Sequence, residues 1–341
     1  MSEAEAETPI QGTSISMRRG RLNPVLRDML ADTSVSANDL MYPVFVKPGS
    51  GIKNPILSMP GVFQFSPDTL VEHLKEVEQL GVRSYMLFGV IPQEEKSVGG
   101  DHILRDDSIV AQSLHALKDA GNSMLAAVDV CFCEYTNHGH CGIPHHQHAV
   151  DNDATLPRLG EQAVALARAG ADLIAPSGMM DGGVGAIRQA LDASEYAGTP
   201  IMGYSVKYAS HFYGPFRDAA ESAPSHGDRR QYQQDYRRDT REALEEAARD
   251  VEEGADIIMV KPGMPYLDVI AALRENFTQP VAAYQVSGEY AMWKAASANG
   301  WIDESAVLRE SLISFKRAGA SIILTYAAPD ACKLMGTRGY L

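Results

Sequence analysis

Two lysines stand where apolar runs end. Lys261 closes the run Ile257–Val260 and is followed by Pro262 and Gly263, while Lys207 lies just beyond Ile201–Ser205 in YSVKYAS. An ammonium is costly to bury, and burial or a second nearby cation lowers its pKa toward the neutral amine. A neutral amine adds to ketones and aldehydes to form a Schiff base. One such lysine is as readily a side chain that snorkels or pairs with a carboxylate. Two at neighbouring strand ends point to carbonyl chemistry, of the kind a Schiff-base aldolase performs.

A second cluster is DVCFCEYTNHGHCG, which carries Cys131, Cys133 and Cys141 in the spacing C-x-C-x7-C. Thiolates are soft ligands suited to Zn2+. The spacing is not the paired C-x2-C of a closed structural site, and three sulfurs leave a tetrahedral ion one position for water or substrate. His138, His140, His145, His146 and His148 lie near enough in sequence to supply a fourth ligand. A group of small buried thiols without metal is the alternative. Cys332 is remote and reads as a free thiol.

Between Tyr208 and Arg241 come Arg217, Arg229, Arg230, Arg237, Arg238 and Arg241, interleaved with Phe212, Tyr213, Phe216, Tyr232 and Tyr236. A solvated face accounts for Arg237, Arg238 and Arg241. The rest suit a loop that closes over a site and clamps a carboxylate or phosphate with bidentate Arg forks. The stretch DGGVGAIRQA, Asp181–Ala190, faintly resembles a glycine-rich anion cradle at a helix N-terminus.

These groups need a scaffold. An amphipathic helix, a glycine and a short apolar run recur at LGVRSYMLFG, AGADLIAPSG, EGADIIMVKPG and AGASIILTY. Glycine ends a helix in the left-handed conformation, and a wholly apolar run of four to six residues suits a parallel strand buried on both faces. Before Gly81, Ser66 offers a cap, Pro67 suits the first helical position, and Leu70, Leu74 and Val77 form one stripe. Eight strand candidates emerge: Met41–Val46, Arg83–Gly89, Met124–Asp129, Asp172–Ala175, Ile201–Ser205, Asp256–Lys261, Val281–Gln285 and Ser321–Tyr326. No GxGxxG follows the first, so the pattern predicts an α/β fold of the (β/α)8 TIM-barrel class rather than an open doubly wound sheet. Barrel active sites sit at the C-terminal strand ends, which here offer Asp129, Ser177, Lys207, Lys261, Ser287 and Tyr326.

The polar, acidic stretch 1–16 reads as a flexible arm, and no later linker divides the chain. We expect an arm over 1–20 and a single catalytic barrel over 21–341. With Lys+Arg 30 against Asp+Glu 44, the formal charge of −14 argues against nucleic acid or anionic membrane as partners. No apolar run reaches the ~20 residues that span a bilayer, and the clustered cysteines suit a reducing, cytoplasmic setting.

Taken together, these stretches resemble the 5-aminolevulinate dehydratase (porphobilinogen synthase) family, in its zinc-dependent branch. The resemblance is carried by DVCFCEYTNHGHCG, YSVKYASHFYGPFRDAAESAP, GDRRQYQ, GADIIMVKPGMPYLDV, YQVSGEYAM and RAGASIILTY, spanning Arg18 to Tyr326. It implies condensation of two 5-aminolevulinate molecules to porphobilinogen, with loss of two waters, in tetrapyrrole and heme biosynthesis. By this resemblance Lys261 holds the first substrate as a Schiff base in the P site and Lys207 the second in the A site. Cys131, Cys133 and Cys141 bind a catalytic zinc. Arg217, Arg229 and Gln233 bind the A-site carboxylate, Ser287 and Tyr326 the P-site carboxylate, and Asp129, Ser177 and Tyr213 line the pocket.

The family also implies a magnesium site at Glu246, where an ordinary exposed glutamate is the alternative, and a homo-octamer in which the arm wraps a neighbouring barrel. Two positions depart from the family pattern S-D-x-M-D-G-R: Gly178 replaces the acidic residue and Gly183 the arginine. A Schiff-base aldolase needs only one lysine and no zinc. A zinc-binding barrel with a disabled site is the non-enzymatic alternative, motivated by Gly178 and Gly183.

Overall fold

The computed structural model describes residues 17–146 and 150–341, so the expected arm, apart from Met17–Gly20, and His148 lie outside the described residues. The chain divides between Ser34 and Val35 into two compact units. In the first, the Asn23 side chain accepts from the Val25 and Leu26 amides and starts helix α1, Pro24–Met29, with Pro24 in the first turn.

The second unit alternates strands and helices. Its strands are β1 Leu40–Val46, β2 Lys53–Pro55, β3 Phe63–Phe65, β4 Ser84–Gly89, β5 Leu125–Val130, β6 Leu173–Pro176, β7 Met202–Lys207, β8 Ile257–Lys261, β9 Val281–Gln285 and β10 Ile322–Thr325. Its helices are α2 Pro67–Gln79, α3 Ile109–Asp119, α4 Asn152–Ala169, α5 Gly183–Ala193, α6 Gly214–Ala220, α7 Thr240–Glu253, α8 Leu267–Asn276, α9 Ser287–Ala298, α10 Glu304–Ala318 and α11 Ala328–Met335. Eight parallel strands follow the order β6-β5-β4-β1-β10-β9-β8-β7. An isolated bridge between Ile174 and Ile201 nearly closes them into a barrel. Each of the eight apolar runs is one of these strands, with ends moved by no more than two residues; the fifth continues through to Lys207.

The hairpin β2–β3 was not legible, because its strands are three residues long and β2 is fully exposed. Helix α2 buries Leu70, Leu74 and Val77 as the stripe requires. Ser66, however, does not cap it: its hydroxyl accepts from the Ile52 amide and donates to Asp68, tying the hairpin to the helix instead. Among the described residues no helix is long and apolar enough to cross a membrane.

Candidate active site

The two lysines are brought together by a register shift. Between Gly203 and Val206 strand β7 slips against β8, after which Val206 pairs with Val260 and Lys207 with Lys261. Register partners on parallel strands direct their side chains to one face, and here both lysines are only 5% exposed. The Lys261 ammonium lies 4.4 Å from the Tyr284 ring centroid, 5.0 Å from Tyr204 and 5.1 Å from Phe216. Burial, and then the charge of Lys207, push its pKa down to about 7, with Asp129 opposing. Lys207 Nζ donates to the Ser177 carbonyl at 2.5 Å.

Asp129, near the end of β5, faces both lysines. Burial and the nearby Glu134 raise its carboxyl toward neutrality against the pull of Lys207 and Lys261. Its Oδ1 and the Tyr204 hydroxyl have no hydrogen-bond partner among the described residues. Buried polar atoms left unpaired are costly, and a polar substrate entering between the lysines would relieve that cost. The sequence reading missed Glu134, Tyr204 and Tyr284, and it named Phe216 only among the aromatics of the arginine-rich segment, not as part of a box around Lys261. The glutamate had a signal, an acidic residue inside the cysteine cluster; the rings come from separate elements and had none.

Cys131, Cys133 and Cys141 converge with their sulfurs within 4.8 Å of one another, all buried, and all are free thiols. Cys131 donates to the Cys133 sulfur at 3.3 Å, and Cys133 to Glu134 Oε2 at 3.1 Å. Hydrogen bonds from Cys131 and Cys133, aided by Arg229 and Lys207, hold the Cys141 thiol well below its ordinary range. A soft trio with one thiolate already favoured fits Zn2+. Among the described residues no histidine joins the cysteine cluster. The His138 ring takes the His140 amide and the Val98 carbonyl, and the His140 ring takes Tyr232 and the His226 carbonyl. The His145 and His146 rings lie 4.3 Å apart and tilted by 38°, and His148 lies outside the described residues.

The arginine-rich segment begins where α6 ends at Glu221, a non-glycine residue at φ 50°. Arg229 donates through Nη2 to the Gly139 and Ser222 carbonyls. Its Nε and Gln233 Nε2 have no partner among the described residues. Both are donors, which is what a carboxylate needs. Arg217 and Arg229 line the same small cavity as Asp129, Ser177, Lys207 and Lys261. Arg230, Arg237, Arg238 and Arg241 instead pair with Asp228, Asp235, Glu242 and Asp239 as an exposed charged face.

Ser287 and Tyr326 are not in the lining of the lysine cavity; Ser287 Oγ accepts from the Phe216 amide at 2.9 Å and donates to the Phe212 carbonyl. Tyr326 and Tyr284 share a hydrogen bond of 3.0 Å. The Tyr213 hydroxyl donates to the Tyr208 and Lys261 carbonyls, so it fixes the backbone beside the lysine.

Gly178 follows the Ser177 whose carbonyl takes Lys207, but neither Gly178 nor Gly183 lines the lysine cavity. They line a separate cavity of about 290 Å3 with Asp181, Glu242, Glu246, Asp250 and Glu253. So acidic a lining repels anions, and the Glu253 carboxylate already accepts from the Gly185 amide at 2.9 Å. The glycine-rich stretch is therefore not an anion cradle. Burial raises the Glu246 carboxyl, with Asp181 adding to it, and lifts that of Asp250 to about 7.

A profile of the family described as Delta-aminolevulinic acid dehydratase matches residues 14–334. The chain is 52% identical over 319 residues to the Delta-aminolevulinic acid dehydratase of Synechococcus elongatus, covering 93% of this chain and 97% of that one. With the Staphylococcus epidermidis protein of the same description it shares 48% over 322 residues, covering 93% and 98%. The fold is similar to the crystal structure of the Toxoplasma gondii delta-aminolevulinic acid dehydratase, solved with its reaction product porphobilinogen. That match has a TM-score of 0.92 at 43% identity, over 97% of this chain and 94% of that one.

Proposed function

Because the chain belongs to the delta-aminolevulinic acid dehydratase family, we propose that its two register-paired lysines carry the condensation that defines that family. The activity is that of a porphobilinogen synthase, a hydro-lyase of porphyrin and heme biosynthesis. Two molecules of 5-aminolevulinate are joined into the pyrrole porphobilinogen with loss of two waters.

The observation that carries the assignment of roles is the Lys261 amine, held near neutrality at pH 7 by burial and by Lys207. In the P site, Lys261 Nζ adds to the ketone carbon of the first substrate, and the carbinolamine expels water to give an iminium. Lys207 does the same for the second substrate in the A site. Each iminium is an electron sink, so an α proton can leave and a carbon–carbon bond can form. Asp129 exchanges protons with the pair, and Ser177 positions Lys207 through its carbonyl. The second ring bond is carbon–nitrogen, made by a substrate amine. Cys131, Cys133 and Cys141 would hold the zinc, which when bound supplies the Lewis acidity that keeps this amine unprotonated.

The unpaired donors of Arg229 and Gln233, with Arg217, bind the A-site carboxylate. Ser287 and Tyr326 bind the P-site carboxylate, and Tyr213 holds the pocket wall. Glu246, in the acidic cavity, is the magnesium position. The arm over 1–20 joins barrels into a homo-octamer, and the enzyme works in the cytoplasm.

The test is borohydride reduction in the presence of 5-aminolevulinate, read by intact and peptide mass spectrometry, with and without a zinc chelator. Adducts on Lys261, and on Lys207 during turnover, are expected; the chelator stops turnover while the Lys261 adduct persists. An adduct on one lysine alone, with zinc irrelevant, selects an aldolase. No adduct in folded, zinc-loaded protein selects a disabled barrel.

A further inference from the structure

The seven-residue spacer between Cys133 and Cys141 is longer than chelation requires, and its last three residues face the arginine-bearing lid. The His138 carbonyl accepts from the Ser225 amide at 3.0 Å and from its hydroxyl at 3.2 Å. The Gly139 carbonyl accepts from Arg229. His140 Nε2 donates to the His226 carbonyl at 2.9 Å, and its Nδ1 lies 3.1 Å from the Tyr232 hydroxyl. Gly139, at φ 70°, admits no side chain, because a Cβ there would run into the Ala223 carbonyl. His140 is fully buried. Both its ring nitrogens are spent on the lid, and its carbonyl is held by Thr136.

We propose that His138, Gly139 and His140 latch the lid to the metal loop, so that metal occupancy and closure of the lid are one coupled equilibrium, with His140 as its positioning residue. The inference rests on the reading above only in taking the cysteines as metal ligands and Arg217, Arg229 and Gln233 as the clamp. The physical cause is chain geometry. A metal fixes Cys133 and Cys141, the two ends of the spacer, and so fixes the acceptors that residues 225–232 require. Without it, those ends are free and the lid loses its docking surface. Arg229 makes the link direct, since its guanidinium spans from the spacer to the Ser222 carbonyl at the root of the lid. By thermodynamic reciprocity, a closed lid must tighten the metal by the same factor by which the metal closes the lid. The apparent zinc affinity is thus higher with substrate bound under the lid than without it.

Hydrogen–deuterium exchange of the full chain tests this, following the peptides that cover 222–233 in zinc-loaded and chelated protein. Zinc removal is expected to speed their exchange about tenfold in the wild type, roughly the effect of losing one or two net hydrogen bonds. His140→Phe, which keeps a ring but removes both nitrogens, should show the fast exchange with zinc still bound. Its KM should rise more than its kcat falls, and zinc should bind more weakly by the same factor as the lid opens. His140→Gln, which retains an amide donor, should recover part of the protection. Ser225→Ala and Tyr232→Phe alter the lid side alone and should shift exchange in the same direction by less. The proposal is overturned if zinc removal leaves 222–233 protected in the wild type. It is equally overturned if zinc-loaded His140→Phe exchanges like the wild type, or, where that variant does not fold, if Ser225→Ala and Tyr232→Phe both do. Borohydride trapping on Lys261 in the same samples separates the two readings. A trapped adduct with an insensitive lid sinks the latch alone, and a latched lid with no adduct sinks the enzymatic assignment alone.

Discussion

Lys207 and Lys261 are register partners on adjacent parallel strands, so two ammonium groups are held on one face of the barrel mouth and both are buried. Two like charges held out of water repel one another. The relief falls on Lys261, whose pKa is pushed down to about 7 by burial first and by Lys207 second.

This predicts a pH profile with a definite sign. Schiff-base formation on Lys261 needs the free amine, so its rate should rise through about pH 7 and level off above it. Lys207→Met removes the second cation and should move that midpoint upward. A move of ~1 unit would cut the neutral fraction at pH 7 about fivefold. Single-turnover borohydride trapping against pH measures both. An unmoved midpoint in Lys207→Met would show that burial alone sets the Lys261 amine.

The cysteines predict a contrast within one residue type. Cys133→Ala removes one of three converged sulfurs and should reduce bound zinc to less than about a tenth of an ion per chain at micromolar zinc. Cys332→Ala removes a buried thiol outside the cluster and should leave zinc stoichiometric. Metal analysis after gel filtration reads both, and turnover should follow zinc.

Charge on the lid predicts another contrast. Arg217 lines the cavity beside the lysines, whereas Arg237 pairs with Asp235 in solvent. Removing a charged donor from a substrate carboxylate costs about 1.5–3 kcal/mol, so Arg217→Ala should raise KM roughly 10- to 100-fold. Arg237→Ala should change it less than about twofold. Equal effects would place the carboxylate elsewhere.

How much of this was legible follows from the range of the forces involved. Strands such as Val281–Gln285 announce themselves because burial on both faces demands an unbroken apolar run. The lysines could be placed at strand ends for the same reason. Their pairing could not, since it depends on the slip between Gly203 and Val206, which leaves no mark in composition. The aromatic box around Lys261 draws on β7, β9 and the α6 region, and only folding brings those together. The histidines of the metal loop were legible as donors near cysteines. The actual partners of the His140 ring, Tyr232 and the His226 carbonyl, lie about ninety residues away and make it a lid contact rather than a ligand.

The acidic cavity carries the last prediction. Gly183 opens helix α5 without a positive φ, and a Cβ there would meet only ordinary contacts with Leu159 and Met180. Arginine therefore fits at this position, and replacing glycine in a helix contributes roughly 0.5–1 kcal/mol by itself. Its guanidinium would enter a space lined by Asp181, Glu246 and Asp250. The Asp250 carboxyl titrates at about 7 when folded, against 3.8 ordinarily. Between pH 4 and 7 the folded chain thus keeps a proton that the unfolded chain has released, and this group makes stability fall as pH rises across that window. Gly183→Arg should flatten that fall by neutralising the ionised carboxylates, and Asp250→Asn should flatten it by removing the titrating group. Urea denaturation at pH 5 and pH 8 measures both effects. An unchanged pH slope in Gly183→Arg would mean the side chain points to solvent, and that the glycine leaves the cavity electrostatics untouched.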